Sequence, residues 1–279
     1  MRSQALSLFI CTLTTALLLS ITSVSDADFA GSALDLTDGP DSSPGTINGG
    51  IFEFGVTQPA GTGVFGTFLR IKNGHGYNTS AAKKDIPNHF DIQDGGSSHF
   101  TRDLRFGDLA AFTLEGSDYL GFSLDSNEQG GNKSLLSLDK LQIYTSPFAS
   151  LSPDDPADLG TLRYDLGAGS SVLMDAKQST GPGSGSSDLD FYIPLDNFVG
   201  VGADDYLYLY AAFGLQDGYE ADGGFEEFAA LPGTNPLTST TYNYVFSTPT
   251  PTAGAAGLVM MLTLALKRRT RPHTTQHAM

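Results

Sequence analysis

The chain has 279 residues and a formal net charge of −16 at pH 7, which excludes a partner held through contacts to a nucleic acid backbone. The single cysteine excludes an internal disulfide bond and a zinc site built from thiolates. The 33 glycines and 14 prolines are too many helix-breaking residues for long helices, whereas a hydrophobic content of 40% excludes a disordered chain, so we expect an all-β protein.

The first 27 residues have the three parts of a secretory signal peptide. Arg2 supplies the positive charge at the start, and residues 5–21 form an apolar stretch that serines and threonines interrupt. Small residues occupy the −3 and −1 positions of the predicted cleavage site, Ser25 and Ala27. Cleavage by signal peptidase would leave Asp28 as the new N-terminus. The alternative is an uncleaved membrane anchor.

The segment 28–245 is predicted to be a single β domain. Apolar and polar residues alternate in several short runs, which is the pattern of strands with one buried face: 50–56, 66–72, 120–124, 140–144, 190–193 and 206–210. Clusters of small and polar residues predict turns at 73–76, 94–96, 130–132 and 181–185. No internal repeat is visible, which argues against a solenoid or a propeller. We therefore expect an antiparallel β-sandwich or a jelly-roll-like fold.

Two runs match known ligand loops only in part. Residues 61–66 have the glycine pattern of a dinucleotide-binding loop, but a strand rather than a helix is predicted to follow, so we exclude a nucleotide site. The run that begins at Asp125 opens like an EF-hand, yet Leu136 stands where that loop needs a glutamate. A looser calcium site stays open, with weak candidates at Asp125, Asn127, Asp188 and Asp190. The alternative is that these are solvated turn residues and that the protein holds no cofactor.

Catalytic chemistry has few candidate residues. His89 and His99 are predicted to face each other across a hairpin at 94–96, near Asp91 or Asp103. There they would form a weak metal site or an acid–base pair. A structural role is the preferred interpretation, since no nucleophile motif accompanies them.

Acidic and aromatic residues near the end of the body are relevant to carbohydrate chemistry. Glu226 and Glu227 are adjacent, so on a strand they point to opposite faces and cannot form the facing carboxyl pair of a glycosidase. Tyr206, Tyr208 and Tyr210 share one face of a predicted strand. They form either a platform for a glycan or, as we prefer, a tyrosine ladder within the fold. We accordingly expect no enzymatic activity.

The C-terminus carries a second targeting device. An extended linker at 246–252 leads into an uncharged apolar segment at 253–266. A helix of this length rises about 21 Å, which is short of the hydrocarbon core of a membrane, roughly 30 Å thick. Four basic residues follow and complete the segment 253–271, namely Lys267, Arg268, Arg269 and Arg271, before a polar tail at 272–279. The basic cluster is expected to stay cytoplasmic while the body is exported.

These parts resemble, over residues 249–271, the PEP-CTERM sorting signal of bacterial envelope proteins. A short proline motif (Pro249, Thr250 and Pro251), an apolar helix and a basic end occur in the family's order, with Thr250 where the family has glutamate. The resemblance implies that an exosortase-type enzyme processes the signal after a transient stay in the inner membrane. The alternative is a plain C-terminal anchor that spans the membrane once.

Together these features predict an exported cell-surface or extracellular-matrix protein with a structural or adhesive role. The two ends hold five of the 15 basic residues and one of the 31 acidic residues, which leaves a charge of −20 on the exported body. The expected partners are signal peptidase, the exosortase-type enzyme, and a glycan or another surface protein. The alternative is a secreted carbohydrate-binding or carbohydrate-active β-sandwich protein, which two facing carboxylates in an aromatic-lined groove would favour.

Overall fold

Fifteen strands make up a little under half of the described residues. The computed structural model describes residues 31–55, 66–72, 74–93, 100–128, 133–178, 187–232 and 235–236. The strands in these ranges are β1 (Ala33–Asp35), β2 (Gly45–Ile47), β3 (Gly50–Phe54), β4 (Thr67–Ile71), β5 (His75–Tyr77), β6 (Leu104–Arg105), β7 (Ala110–Leu114), β8 (Ser117–Ser126), β9 (Leu135–Ser146), β10 (Thr161–Asp165), β11 (Ser171–Asp175), β12 (Leu189–Pro194), β13 (Tyr206–Phe213), β14 (Glu226–Ala230) and β15 (Asn235–Pro236). Six short 3₁₀ turns lie between them, at Gly39–Asp41, Lys83–Asp85, Phe106–Asp108, Pro156–Leu159, Ala176–Gln178 and Leu195–Phe198.

The strands form two sheets. Sheet A has seven strands in the order β1-β11-β9-β13-β5, with β10 paired to β9 and β6 paired to β13. Sheet B has eight strands in the order β15-β7-β8-β12-β3-β2, and β14 pairs with both β8 and β4. Every pairing is antiparallel except that of β1 with β11, which is parallel. The fold is therefore all-β, as the composition and the alternating runs predict.

The two sheets pack face to face around one hydrophobic cluster. In the cross-strand register of sheet B, Phe191 lies between Phe52 and Phe122, and the ring centroids are 5.8 Å and 5.3 Å from that of Phe191. The Phe52 ring also lies 6.4 Å from the ring of Tyr164, which belongs to sheet A. Aromatic side chains bury more apolar area than aliphatic ones, so this row supplies a large share of the core between the sheets.

All six alternating runs lie on strands, namely β3, β4, β8, β9, β12 and β13. The turn predicted at 73–76 is wrong in part, because β5 begins at His75 and Gly76 pairs with Ala211 on β13. Gly76 serves a close approach here: a Cβ on it would lie 2.1 Å from Cγ2 of Ile92. Gly76, which suggested a turn, instead lies on a strand and leaves space for the side chain of Ile92.

Within the described residues, we find no helix with the length and apolarity that a membrane crossing requires. The predicted signal peptide at 1–27 and the predicted sorting signal at 249–271 lie outside these residues. So do the turns predicted at 94–96, 130–132 and 181–185.

Candidate functional site

The tyrosines of β13 form a ladder that other parts of the chain cover. Tyr208 lies directly opposite Tyr144 on β9, and Tyr210 lies opposite Tyr77 on β5. The Tyr208 hydroxyl donates to the carbonyl oxygen of Phe148 at 2.8 Å. Tyr77 and Tyr208 are both 0% exposed, and burial is the main cause that raises the pKa of each hydroxyl. The predicted ladder is confirmed for Tyr208 and Tyr210, whereas Tyr206 lies opposite Ser146 and Arg105 and is only partly buried. Burial leaves no room for a glycan against the rings of Tyr77 and Tyr208.

The structure brings together a pair of histidines that the sequence did not suggest. The rings of His75 and His89 stack with centroids 6.0 Å apart, and Nδ1 of His75 lies 3.1 Å from the Tyr210 hydroxyl. The pKa of His75 is lowered, mainly by burial and further by the charges of His89 and Lys140. The charge of Asp91 acts in the opposite direction. His99 and the predicted hairpin lie outside the described residues. The pair was missed because His75 was assigned to a turn.

Three of the calcium candidates have well-defined hydrogen bonds inside the fold. Oδ1 of Asp190 accepts hydrogen bonds from the hydroxyls of Ser123 and Ser187, the latter at 2.7 Å. Oδ2 of Asp188 accepts from the main-chain N–H and the hydroxyl of Ser126, each at 2.6 Å. The Asn127 amide donates to the carbonyl oxygen of Phe225 at 2.9 Å.

The four calcium candidates do not form one loop, since they lie on or beside β8 and β12. Across the described part of the chain, no group of three or more His, Cys, Asp or Glu side chains is arranged to hold a metal ion.

Asp188 is a buried acid in a negative environment. The residue is 3% exposed, and its Oδ1 accepts no hydrogen bond from the described residues. The pKa of the carboxyl is raised to about 8, chiefly by burial and also by the charges of Asp125 and Asp175, while the hydrogen bonds from Ser126 oppose the shift. A carboxyl with this pKa keeps its proton at neutral pH.

The adjacent acids of β14 have different environments, as expected for neighbouring strand residues. Glu227 forms an ion pair with Arg70 of β4 and accepts a hydrogen bond from the Thr67 hydroxyl at 2.9 Å. The Arg70 guanidinium also lies 3.6 Å above the centre of the Phe100 ring. Glu227 is therefore held by a cation and a hydroxyl, which is a structural arrangement.

Glu226 instead lies in the cross-strand row between Ile71 of β4 and Ser126 of β8. It is 0% exposed, and its carboxyl meets the carboxyl of Glu128, just beyond β8. The pKa of Glu226 is raised to about 9, chiefly by burial and also by the contact with Glu128 and the charge of Asp91, while a hydrogen bond from its own main chain opposes the shift.

Glu128 and Glu226 are two facing carboxyls that the sequence analysis missed. Glu128 belongs to the run that resembles an EF-hand in its first residues, and Glu226 was considered only with its neighbour in sequence. Glycosidases use facing carboxyls in an open cleft. Here one member of the pair is fully buried, so a sugar ring has no access to it.

Comparisons of this chain with protein-family models, with curated proteins and with solved structures found no match.

Proposed function

We propose that this chain is an exported bacterial cell-surface or extracellular-matrix protein with a structural or adhesive role and no enzymatic activity. In this proposal a jelly-roll-like domain spanning 28–245 is delivered by a cleaved signal peptide and sorted by a PEP-CTERM-like signal. The observation that carries it is the order of parts along the chain. An all-β body stands between a predicted N-terminal export signal and a C-terminal segment whose sequence has a proline motif, a short apolar stretch and a basic cluster.

The physical properties of the C-terminal segment suit a temporary attachment. Its uncharged part, 253–266, is too short for a comfortable span of the bilayer, so retention depends on the basic residues beyond it. The proline motif keeps the preceding chain extended and accessible to an enzyme in the membrane. A final location on the envelope surface or outside the cell follows from processing at this motif.

The environments of the described polar residues support a structural role. The rings of Tyr77 and Tyr208 are covered, Asp190 is held by serine hydroxyls, and Glu227 is paired with Arg70. These side chains stabilise the fold instead of facing a cleft. Binding would then take place through the exposed surface, with a glycan or another surface protein as the partner.

The alternative proposal is a secreted carbohydrate-binding or carbohydrate-active protein. It needs carboxylates that a sugar can reach, beside exposed aromatic rings. Glu226 fails the first condition because it is fully buried. Tyr208 fails the second for the same reason.

A C-terminal epitope tag tests the sorting signal. In the native bacterium, the surface form of the tagged protein should lack the tag, because cleavage near 249–251 removes everything beyond it. Replacement of Lys267, Arg268 and Arg269 by glutamine should impair retention and leave unprocessed, tagged protein. The measurement is immunoblotting of surface and membrane fractions with antibodies against the tag and the body.

The control removes positive charge from the body instead. Lys84→Gln and Lys177→Gln alter exposed lysines and should leave processing unchanged. A tag that stays with full-length, membrane-bound protein would identify a plain membrane anchor and refute the sorting proposal.

A further inference from the structure

Glu226 is a buried acid that lacks the usual hydrogen-bond donors. Residues two apart on a strand share a face, so its side chain points to the same side as that of Phe228, which lies in the core. Neither of its carboxylate oxygens accepts a hydrogen bond from a described residue in standard geometry. Buried acceptors in native proteins are almost always satisfied by a donor, a water or an ion, so this side chain calls for such a group.

The chain holds the segments that carry Glu128 and Glu226 tightly together. The Asn127 amide donates to the carbonyl oxygen of Phe225 at 2.9 Å, and the N–H of Gly224 donates to the carbonyl oxygen of Asn127 at 2.7 Å. A Cβ on Gly224 would lie 2.5 Å from that same carbonyl oxygen, so only glycine permits the approach. These contacts therefore fix the relative positions of the two main-chain segments that carry the facing carboxyls.

The charges that act on the Glu226 carboxyl are negative, whereas the Lys133 ammonium, at the surface, acts on Glu128. Burial is the main cause that raises the pKa of the Glu226 carboxyl, and Glu128 and Asp91 raise it as well. A proton shared between the two carboxyls forms one hydrogen bond between two of their four oxygens and leaves the other two oxygens without a partner of this kind. A divalent cation neutralises both charges and is coordinated by several oxygens at once.

We propose that Glu128 and Glu226 together bind one divalent cation, with calcium as the preferred ion. Calcium accepts six to eight oxygen ligands in a flexible geometry and takes glutamate in bidentate form, whereas magnesium demands a near-ideal octahedron. The two carboxylates supply the charge, and water and main-chain carbonyl oxygens supply the remaining ligands. The cation joins β14 to the end of β8 and so stabilises the fold. This inference is independent of the proposed sorting.

Thermal unfolding of the full-length protein in mild detergent tests the site. At pH 8, calcium at a hundred times its Kd should raise the Tm by roughly 5–10 °C relative to protein in chelator, because the ion binds the folded state alone. Magnesium should give a smaller shift. Glu226→Gln and Glu128→Gln should each reduce the calcium response by half or more, whereas Glu115→Gln, at an exposed site, should retain it.

Calorimetric titration of calcium gives a second readout. Glu128 is only partly buried, so Glu128→Gln should fold and should weaken calcium binding at least tenfold. A wild-type Tm that is unchanged by calcium, together with a higher Tm of Glu226→Gln in chelator, would overturn the proposal. That outcome would show that the two carboxyls share a proton.

Discussion

Asp188 links the acidity of the medium to the stability of the fold. Its carboxyl has a pKa of about 8 in the folded protein, against 3.8 for an ordinary aspartate. The folded state therefore holds a proton that the unfolded chain releases above pH 4. The stabilisation is complete below pH 4 and is lost as the pH rises towards 8, by about 1.4 kcal/mol per pH unit at most.

We predict that Asp188→Asn makes stability less dependent on pH. The amide oxygen still accepts from Ser126, but the variant has no proton to lose at this position. Denaturant unfolding at pH 5 and pH 8 should show a smaller loss of unfolding free energy in the variant than in the wild type.

The matched control is Asp196→Asn, which changes an exposed carboxylate. It should keep the wild-type slope between the two pH values. Equal slopes in Asp188→Asn and the wild type would mean that Asp188 is ionised throughout.

At the scale of elements, the start of β10 depends on one glycine. Gly160 has a φ of +136°, and a Cβ on it would lie 2.3 Å from the carbonyl oxygen of Thr145 on β9. The next residue, Thr161, pairs with Thr145, so any shift of Gly160 disturbs the first pair of this ladder. The close contact and the backbone conformation both require glycine here.

Gly160→Ala should lower the free energy of unfolding by at least about 2 kcal/mol, because strain and a clash with backbone add. Denaturant titration of the full-length protein measures the change. Gly66→Ala provides the control, since no atom of the described residues lies within 4 Å of a Cβ at that position. A loss of similar size in both variants would contradict the local explanation.

The strands could be predicted from the sequence, but the candidate site could not. β3, β8, β12 and β13 were recognisable because a half-buried strand imposes an alternation that is local in sequence. The contact between Glu128 and Glu226 depends on the register of β14 against β8, which joins segments 98 residues apart. Gly224 is required where its segment packs closely against Asn127. No residue near Gly224 in the sequence indicates that Asn127 is the neighbour.

At the scale of the whole molecule, charge is the dominant property. The described part contains four ion pairs, which involve Arg70, Lys84, Arg105 and Lys133, and acids outnumber bases two to one along the chain. Excess negative charge keeps a protein soluble and makes cations its natural counterions. The proposed cation site is a local instance of this general condition.

The proposed export makes a prediction about the mature chain. Intact mass spectrometry of the envelope form should place its N-terminus at or near Asp28, because Ser25 and Ala27 suit signal peptidase. A Ser25→Lys or Ala27→Lys variant should block cleavage, whereas Ser23→Ala should not. Mature protein that retains residues 1–20 would contradict the secretory interpretation.

The position of β14 between β4 and β8 also has a kinetic consequence. A nascent chain that ends before Glu226 leaves facing edges of β4 and β8 unpaired, so sheet B stays open until almost all of the described chain has been synthesised. Pairings this distant in sequence form slowly, since the loop between them must close first. Completion of sheet B is thus postponed to the end of synthesis, which suits the proposed export, because an unfolded precursor can be threaded through a translocation pore.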